Sequence, residues 1–175
     1  ITAKSPSREQ AMEMVSLIEQ KVREILGDNI YGVDQETIAD IVGTMLYEQG
    51  LTLGVMELGS AGQLGALISS SSRGADRLMG TLVAHDRRVL PRFGIAPDLA
   101  TNPETEKDTL VKAMATGART TLEADIGLAV ICDMEESAGS GRYLGAVYCA
   151  VDKGGDATST INRYTTTERE VRRRA

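Results

Sequence analysis

Short runs of apolar residues alternate along this chain with segments whose apolar residues recur at helical spacing. Residues 51–56, 78–84 and 126–132 have the length and composition of buried strands. Amphipathic segments lie between them, most clearly at residues 38–46 and 104–122. Strands that are apolar on both faces need helices on both sides of their sheet. The alternation therefore predicts an α/β fold.

A hairpin pattern follows the third apolar run. Residues 144–151 and 158–164 alternate in the manner of strands and flank a turn sequence, Asp152-Lys153-Gly154-Gly155-Asp156. Such a hairpin adds an antiparallel part to the sheet, so we predict a three-layer α/β/α sandwich with a mixed sheet. Residues 133–142 read as an acidic, glycine-containing loop, and Thr167 as the start of a last helix.

Capping residues predict the limits of the first two helices. Ser5 followed by Pro6 is typical of a helix start, and Asp34 is a cap for the second helix. Residues 1–32 contain one helix and short extended pieces, which cannot enclose a core. We therefore expect residues 1–32 to be the end of a preceding domain and residues 33–175 to be the main domain.

Composition excludes several classes of function. The net charge is −6 and aromatic residues make up 3% with no Trp, so neither phosphate attraction nor base stacking favours nucleic-acid binding. No apolar run reaches the roughly 18 residues of a membrane span. Cys132, Cys149 and the single histidine, His85, form no metal-binding pattern. We expect no metal, no cofactor, and reduced thiols in the cytoplasm.

A turn of small residues follows the first apolar run. It reads Glu57-Leu58-Gly59-Ser60-Ala61-Gly62 and leads into a short helix. Small residues at such a turn leave backbone donors accessible to a phosphate or an oxyanion. The turn is therefore the first candidate for a binding site.

The segment REILGDNIYGVDQETIADIVGTMLYEQGLTLGVMELGSAGQLGALI resembles the CinA (competence/damage-inducible protein A) family, and looser matches follow at residues 110–120 and 144–151. The resemblance implies that residues 1–32 end a KH-like middle domain and that residues 33–175 form a CinA C-terminal domain. That domain is associated with nicotinamide mononucleotide deamidase activity, which hydrolyses a carboxamide to a carboxylate and ammonia. The family's proposed apparatus is a serine nucleophile assisted by a lysine and a tyrosine.

The family's first motif matches the small-residue turn in part. Glu57 and Gly62 match, Ser60 stands in place of a threonine, and Gly59 in place of a cysteine. The resemblance implies that the ligand-binding residues are Glu57, Gly59, Ser60 and Gly62.

The family's catalytic residues have no counterparts. The serine position falls on Gly74 or Ala75, the tyrosine position on Ala84 or His85, and the lysine position on Val89 or Leu90. A glycine-rich family loop falls near residues 131–136, where Asp133, Glu135 and Glu136 would repel a phosphate.

Each remaining candidate has a functional and a structural interpretation. Glu57 either contacts a ligand or holds the turn, and Ser60 either replaces the nucleophile or, as we expect, caps the next helix. The Ser69–Ser72 run is either a displaced nucleophile or a polar loop, and His85 is either a general base or a histidine at a strand end. Cys132 is either reactive or a packed thiol.

Two charged segments also leave alternatives. The acidic loop either chelates a cation or is solvated. The arginines near the end of the chain, Arg169, Arg172, Arg173 and Arg174, either face a phosphate or belong to an amphipathic helix.

Three hypotheses for function follow. The first is a non-catalytic domain that binds a small, nucleotide-like ligand or acts as a regulatory domain. The second is a homo-oligomerisation module, most simply a dimer, with a vestigial pocket. The third is an active amidohydrolase with a site rearranged around Ser60 or His85. Because the serine, tyrosine and lysine are all missing, we expect the chain not to be an enzyme.

Overall fold

The computed structural model of the chain describes residues 2–137 and 142–166. Its centre is one sheet of five strands in the order β2-β1-β3-β4-β5. The strands are β1 (Leu53–Leu58), β2 (Leu78–Ala84), β3 (Ile126–Ser137), β4 (Arg142–Lys153) and β5 (Asp156–Thr166). Strand β1 is parallel to both β2 and β3, whereas β4 is antiparallel to both β3 and β5. The predicted mixed sheet is confirmed.

Helices cover both faces of this sheet. The helices of the described residues are α1 (Arg8–Leu26), α2 (Ile38–Gln49), α3 (Gln63–Ser69), α4 (Ser72–Arg77), α5 (Pro97–Thr101) and α6 (Lys107–Thr121), with 3₁₀ helices at Gly27–Asn29 and Arg87–Phe93. Leu46 of α2 and Ile68 of α3 pack against Val55 on one face. Met114 of α6 packs with Met56 on the other face. Val55 and Met56 are both fully buried, as expected for a strand covered on both sides.

Glycines allow α6 to lie very close to the sheet. A Cβ atom on Gly127 of β3 would lie 1.9 Å from the Ala115 carbonyl oxygen, and one on Gly54 of β1 would lie 2.7 Å from the Ala118 carbonyl oxygen. Helix α6 runs back along β3, so its first residue, Lys107, reaches Asp133, which lies on β3 just beyond the end of its pairing with β1. This packing brings a helix start to the carboxyl edge of the sheet.

Two predicted helix caps are wrong. The α1 cap is Ser7, whose hydroxyl accepts a hydrogen bond from the Gln10 N–H, rather than Ser5. The α2 cap is Thr37, which exchanges hydrogen bonds with Asp40 in a reciprocal capping box. Asp34 lies outside the helix with a φ of 53°. Thr37 is the better cap because the Asp40 carboxylate accepts a hydrogen bond from the Thr37 N–H while the Thr37 hydroxyl accepts one from the Asp40 N–H. Two backbone donors at the helix start are thus satisfied at once.

The predicted acidic loop is wrong for most of its length. Strand β3 continues through Ser137 and β4 begins at Arg142, with Asp133 opposite Ala146. The backbone N–H and C=O groups of residues 133–137 find their partners in β4. The glycines and carboxylates of this segment do not reveal that distant pairing. The side chains of Glu135 and Glu136, the helix predicted from Thr167, and the terminal arginines lie outside the described residues.

Helix α1 stands apart from the cores just described. It contacts the short 3₁₀ helix that follows it, and none of its residues is buried. Within the described part of the chain, no helix is both long enough and apolar enough to cross a membrane.

Candidate functional site

The connections from β1 and β2 leave the sheet on opposite faces. Strand β1 leads into α3, which covers one face, and β2 leads into the 3₁₀ helix Arg87–Phe93, which packs with α6 on the other. Adjacent parallel strands whose connections diverge open a crevice beyond their carboxyl ends, where ligands of open α/β sheets bind. The fold alone therefore makes this edge the candidate site.

A cleft of about 320 Å³ lies at this edge, on the α6 side of the sheet. Its apolar lining comes from Leu58, Leu110 and Ile131, and its polar lining includes His85, Asp86, Arg87, Lys107 and Asp133. These residues come from the end of β1, the segment that follows β2, the part of β3 beside the end of β1, and the first turn of α6. The volume of the cleft lies at the lower end of the range expected for small-molecule sites.

Glu57 and Ser60 lie behind the cleft rather than in it. The Ser60 hydroxyl donates to Glu57 Oε2 at 2.5 Å, and the Gly65 N–H donates to Glu57 Oε1 at 2.8 Å. Both side chains are fully buried. Gly62, with no side chain, precedes α3 where Ser60 was expected to cap it, so that expectation is wrong. The Glu57 carboxylate binds the turn and the helix start together, which is the holding role considered for it.

Gly59 is the member of the turn that lines the cleft. It has a φ of 84°, and its N–H donates to the Ala84 carbonyl of β2 at 3.1 Å. A Cβ atom there would lie 2.7 Å from the Cys132 carbonyl oxygen. Both the backbone conformation and the close approach favour glycine, so the cysteine of the family motif does not fit here.

The lysine and arginine side chains of the cleft already have partners. The Lys107 ammonium donates to Asp133 in an ion pair. The Arg87 guanidinium donates to the carbonyl oxygens of Leu99, Ala100 and Asn102, and so holds the end of α5. The amino end of α6 adds a partial positive charge, which Asp133 beside it offsets. The cleft therefore has a balanced charge.

Asp86 belongs to a separate pair at the rim. Its carboxylate accepts hydrogen bonds from the Arg88 side chain and from the Arg88 backbone N–H. The Arg88 guanidinium holds the pKa of Asp86 at about 2. Asp86 therefore stays ionised and engaged with Arg88, rather than acting as a general acid near neutral pH.

None of the hydrogen bonds of the described residues joins a proposed serine nucleophile to His85, the proposed base. Ser60 is buried and bound to Glu57. Ser69, Ser70 and Ser71 bond to backbone groups at the junction of α3 and α4. That junction precedes β2 and His85 follows it, so the seven-residue strand separates them by about 20 Å.

The positions of the family's catalytic residues are separated in the same way. Gly74 lies in α4, before β2, and Ala84 ends β2.

The Cys132 side chain packs with Val130 and Val147, as a packed thiol would. Among the described residues, no group of three histidine, cysteine or acidic side chains could hold a metal ion.

Sequence reasoning missed Arg87 and Lys107. Arg87 lies three residues beyond the end of β2, so the polar run after that strand was a usable signal. Lys107 lies 26 residues before Asp133, and only the packing of α6 on β3 joins them. No local pattern marks such a pair.

Most of the chain is similar to known proteins. The family profile described as the CinA C-terminal domain matches residues 35–175. A CinA-like protein of Nostoc sp. is 28% identical over 163 residues, covering 92% of this chain and 38% of that protein. A CinA-like protein of Prochlorococcus marinus is 32% identical over 131 residues, covering 74% of this chain and 30% of that protein.

A solved structure resembles this fold closely. It is a CinA superfamily protein from Enterobacter cloacae, which superimposes with a TM-score of 0.65 at 20% identity. The match covers 83% of this chain and 89% of that one. The chain thus spans nearly the whole of this solved structure, but only about two fifths or less of the length of the relatives above.

Proposed function

The chain belongs to the CinA family, and from that premise we propose that it is a non-catalytic domain that binds a small nucleotide-like molecule in the cleft beside Gly59. One observation carries the proposal. The cleft lies at the carboxyl edge where the β1 and β2 connections diverge, while the buried pairing of Glu57 with Ser60 leaves neither side chain for chemistry. Glu57 and Ser60, which lie in the segment that resembles the family motif, thus hold in place the turn whose Gly59 lines the cleft.

The absence of the family's catalytic residues supports the same proposal. Gly74 or Ala75 replaces the serine, and Val89 or Leu90 replaces the lysine. Loss of groups that act as a unit costs several orders of magnitude in rate. A domain that keeps the cleft without this apparatus retains a means of binding but not of hydrolysis.

The charges of the cleft favour a ligand without a phosphate. Lys107 is neutralised by Asp133, and Arg87 is engaged with three carbonyl groups. A phosphate group would have to displace one of these partners and would meet the carboxylate of Asp133. A nucleoside with a neutral, hydrogen-bonding base fits better than its phosphate, and Leu58, Leu110 and Ile131 offer apolar contact.

A ligand titration tests this proposal. Adenosine and adenosine monophosphate carry the same neutral base, differ in one phosphate and are the two probes. We expect adenosine to raise the melting temperature of the protein saturably, and adenosine monophosphate to do so no more strongly. Lys107→Ala should abolish the shift, because it removes a polar group of the cleft and leaves Asp133 unpaired.

Lys112→Ala is the matched control. Lys112 also belongs to α6, is also 39% exposed, and pairs with Asp108 as Lys107 pairs with Asp133. It lies outside the cleft, so its loss should leave the ligand response unchanged. Absence of a shift with both probes, or an equal loss in both variants, would contradict the proposed site.

Two wider assignments accompany this proposal. We propose that residues 1–32 are the end of a KH-like middle domain, supported by the exposure of α1 and by a family match that begins at residue 35. We also propose that the protein acts in the cytoplasm, where the thiols of Cys132 and Cys149, which form no disulfide, stay reduced. Limited proteolysis near residues 30–36 would test the first, and cell fractionation the second.

A further inference from the structure

Asp133 and Lys107 lie side by side in the cleft beside Gly59. Asp133 is on β3, just beyond the end of its pairing with β1, and Lys107 is the first residue of α6. The Asp133 side chain is 33% exposed and that of Lys107 is 39% exposed, so both are accessible to a molecule in the cleft. The pair is therefore part of the lining of the cleft as well as a contact between α6 and the sheet.

The ion pair uses only part of the hydrogen-bonding capacity of these two groups. The Lys107 ammonium donates to Asp133 Oδ2, and within the part of the chain that the structure describes no hydrogen bond reaches Asp133 Oδ1. An ionised carboxylate accepts at both of its oxygens, and an ammonium group has three donors. The pair thus presents a charged acceptor and a charged donor next to each other.

The other two charged side chains of the cleft are engaged elsewhere. Asp86 accepts hydrogen bonds from Arg88 at both of its carboxylate oxygens. Arg87 donates to three backbone carbonyl oxygens. Among the carboxylate oxygens that line the cleft, Asp133 Oδ1 is therefore the acceptor that is left for a ligand.

A vicinal diol fits an acceptor and a donor that lie side by side. One hydroxyl group donates to the carboxylate oxygen, and the oxygen of the neighbouring hydroxyl accepts from the ammonium group. The ribose of a nucleoside carries such a diol on its 2′ and 3′ carbons. In α/β sheets that bind dinucleotides, a carboxylate binds a ribose hydroxyl, and the ligand lies beyond the carboxyl ends of the strands. Asp133 lies at that edge of this sheet.

We propose that Asp133 and Lys107 select ribonucleosides by binding the cis-diol of the ribose, with one hydroxyl donating to Asp133 Oδ1 and the other accepting from Lys107. This diol site rests on the proposed function, since it names the part of the nucleoside that the cleft recognises. The base then lies against the apolar lining formed by Leu58, Leu110 and Ile131.

A series of adenosine analogues tests the diol on the native protein, without any variant. Isothermal titration calorimetry would give the Kd of adenosine and of 2′,3′-dideoxyadenosine, which lacks both hydroxyls. We expect the dideoxy compound to bind about tenfold more weakly or worse, because hydrogen bonds to two charged groups are lost. The arabinose epimer of adenosine keeps both hydroxyls but inverts the one at 2′, and should bind about threefold more weakly or worse.

Asp133→Asn tests which residue reads the diol. The amide keeps one acceptor oxygen and replaces the other with an NH₂ donor, so Lys107 and a sugar hydroxyl compete for the same oxygen. The preference for adenosine over 2′,3′-dideoxyadenosine should fall to within about threefold, through weaker binding of adenosine alone. A merely structural ion pair would weaken both compounds equally and leave their ratio unchanged.

Asp86→Asn is the matched control, because it makes the same change at the other carboxylate of the cleft. It should retain the preference for adenosine, and urea unfolding should confirm that both variants fold. Equal affinity of the native protein for adenosine and 2′,3′-dideoxyadenosine would overturn the diol site and leave the nucleoside site standing. Binding of neither compound would overturn both. Loss of the preference in Asp86→Asn, or its retention in Asp133→Asn, would overturn the role of Asp133.

Discussion

The Ser60 hydroxyl donates to the Glu57 carboxylate at 2.5 Å, and neither side chain reaches solvent. The other oxygen of the same carboxylate accepts the Gly65 N–H at 2.8 Å. One buried carboxylate thus connects the end of β1, the turn and the first turn of α3. The wall of the cleft at Gly59 depends on this arrangement.

Removing Glu57 should destabilise the whole domain. Glu57→Ala leaves the Ser60 hydroxyl and the Gly65 N–H buried without their acceptor, and each lost partner costs about 1–3 kcal/mol. We expect Glu57→Ala to lower the free energy of unfolding by about 2–5 kcal/mol and Ser60→Ala by a smaller amount, measured by urea denaturation. Glu48→Ala, an exposed glutamate on α2, is the control and should stay within about 0.5 kcal/mol of native. Equal effects of Glu48→Ala and Glu57→Ala would refute the holding role.

Asp152 gives the domain a predictable dependence on pH. Its side chain is fully buried, which by itself would raise its pKa. Hydrogen bonds from Thr116, Arg119 and the Gly155 N–H, with the charge of Arg119, outweigh burial, so the pKa in the folded state is lowered below 3.8. The stabilisation is therefore present above pH 3.8 and is lost as the pH falls through the lowered pKa.

Asp152→Asn should reveal that dependence. At neutral pH it should cost roughly 1.5–3 kcal/mol, the range for a hydrogen bond to a charged group, and the difference from native should shrink as the pH falls below 3.8. Urea unfolding across this range measures it. Thr158→Ala, an exposed and uncharged change in the same hairpin, should show a difference that does not vary with pH. A pH-independent cost for Asp152→Asn would show that Asp152 acts through packing alone.

Two of the strand glycines that face α6 and its C-terminal end, Gly127 and Gly80, should respond differently to alanine. A Cβ atom on Gly127 would lie 1.9 Å from the Ala115 carbonyl oxygen. That oxygen belongs to the backbone of α6, so the helix itself would have to shift away from the sheet. We expect Gly127→Ala to cost about 1–3 kcal/mol or more through overpacking. On Gly80 the nearest atom is the tip of Leu122 at 3.1 Å, which can rotate, so Gly80→Ala should cost less than about 1 kcal/mol. Similar costs at the two positions, measured by thermal or urea unfolding, would contradict the close approach of α6.

The sequence predicted those elements whose signals are local. Strand β2 occupies residues 78–84, as predicted, because an apolar run between polar segments has no competing reading. The hairpin of β4 and β5 turns at Gly154 and Gly155, as the glycine pair indicated. The alternation of strands and helices also implied the covered sheet, since both faces of the strands were apolar.

What could not be predicted depends on partners distant in sequence. Strand β3 extends to Ser137 because β4 supplies its hydrogen bonds, although the residues themselves read as a loop. Ser60 was expected to cap α3, but its hydroxyl bonds to Glu57, whose burial the sequence does not reveal. Lys107 and Asp133 meet only because α6 packs on β3. The cleft is built from such contacts, so its lining was less predictable than the fold.

Ammonia release from nicotinamide mononucleotide by the purified chain would distinguish a non-catalytic domain from a hydrolase. We expect no release above the rate without protein, and no change in Ser60→Ala or His85→Ala. A saturable melting shift with adenosine, lost in Lys107→Ala, should accompany that result. Ammonia release that disappears in His85→Ala would contradict a non-catalytic domain and would point to a rearranged hydrolytic site.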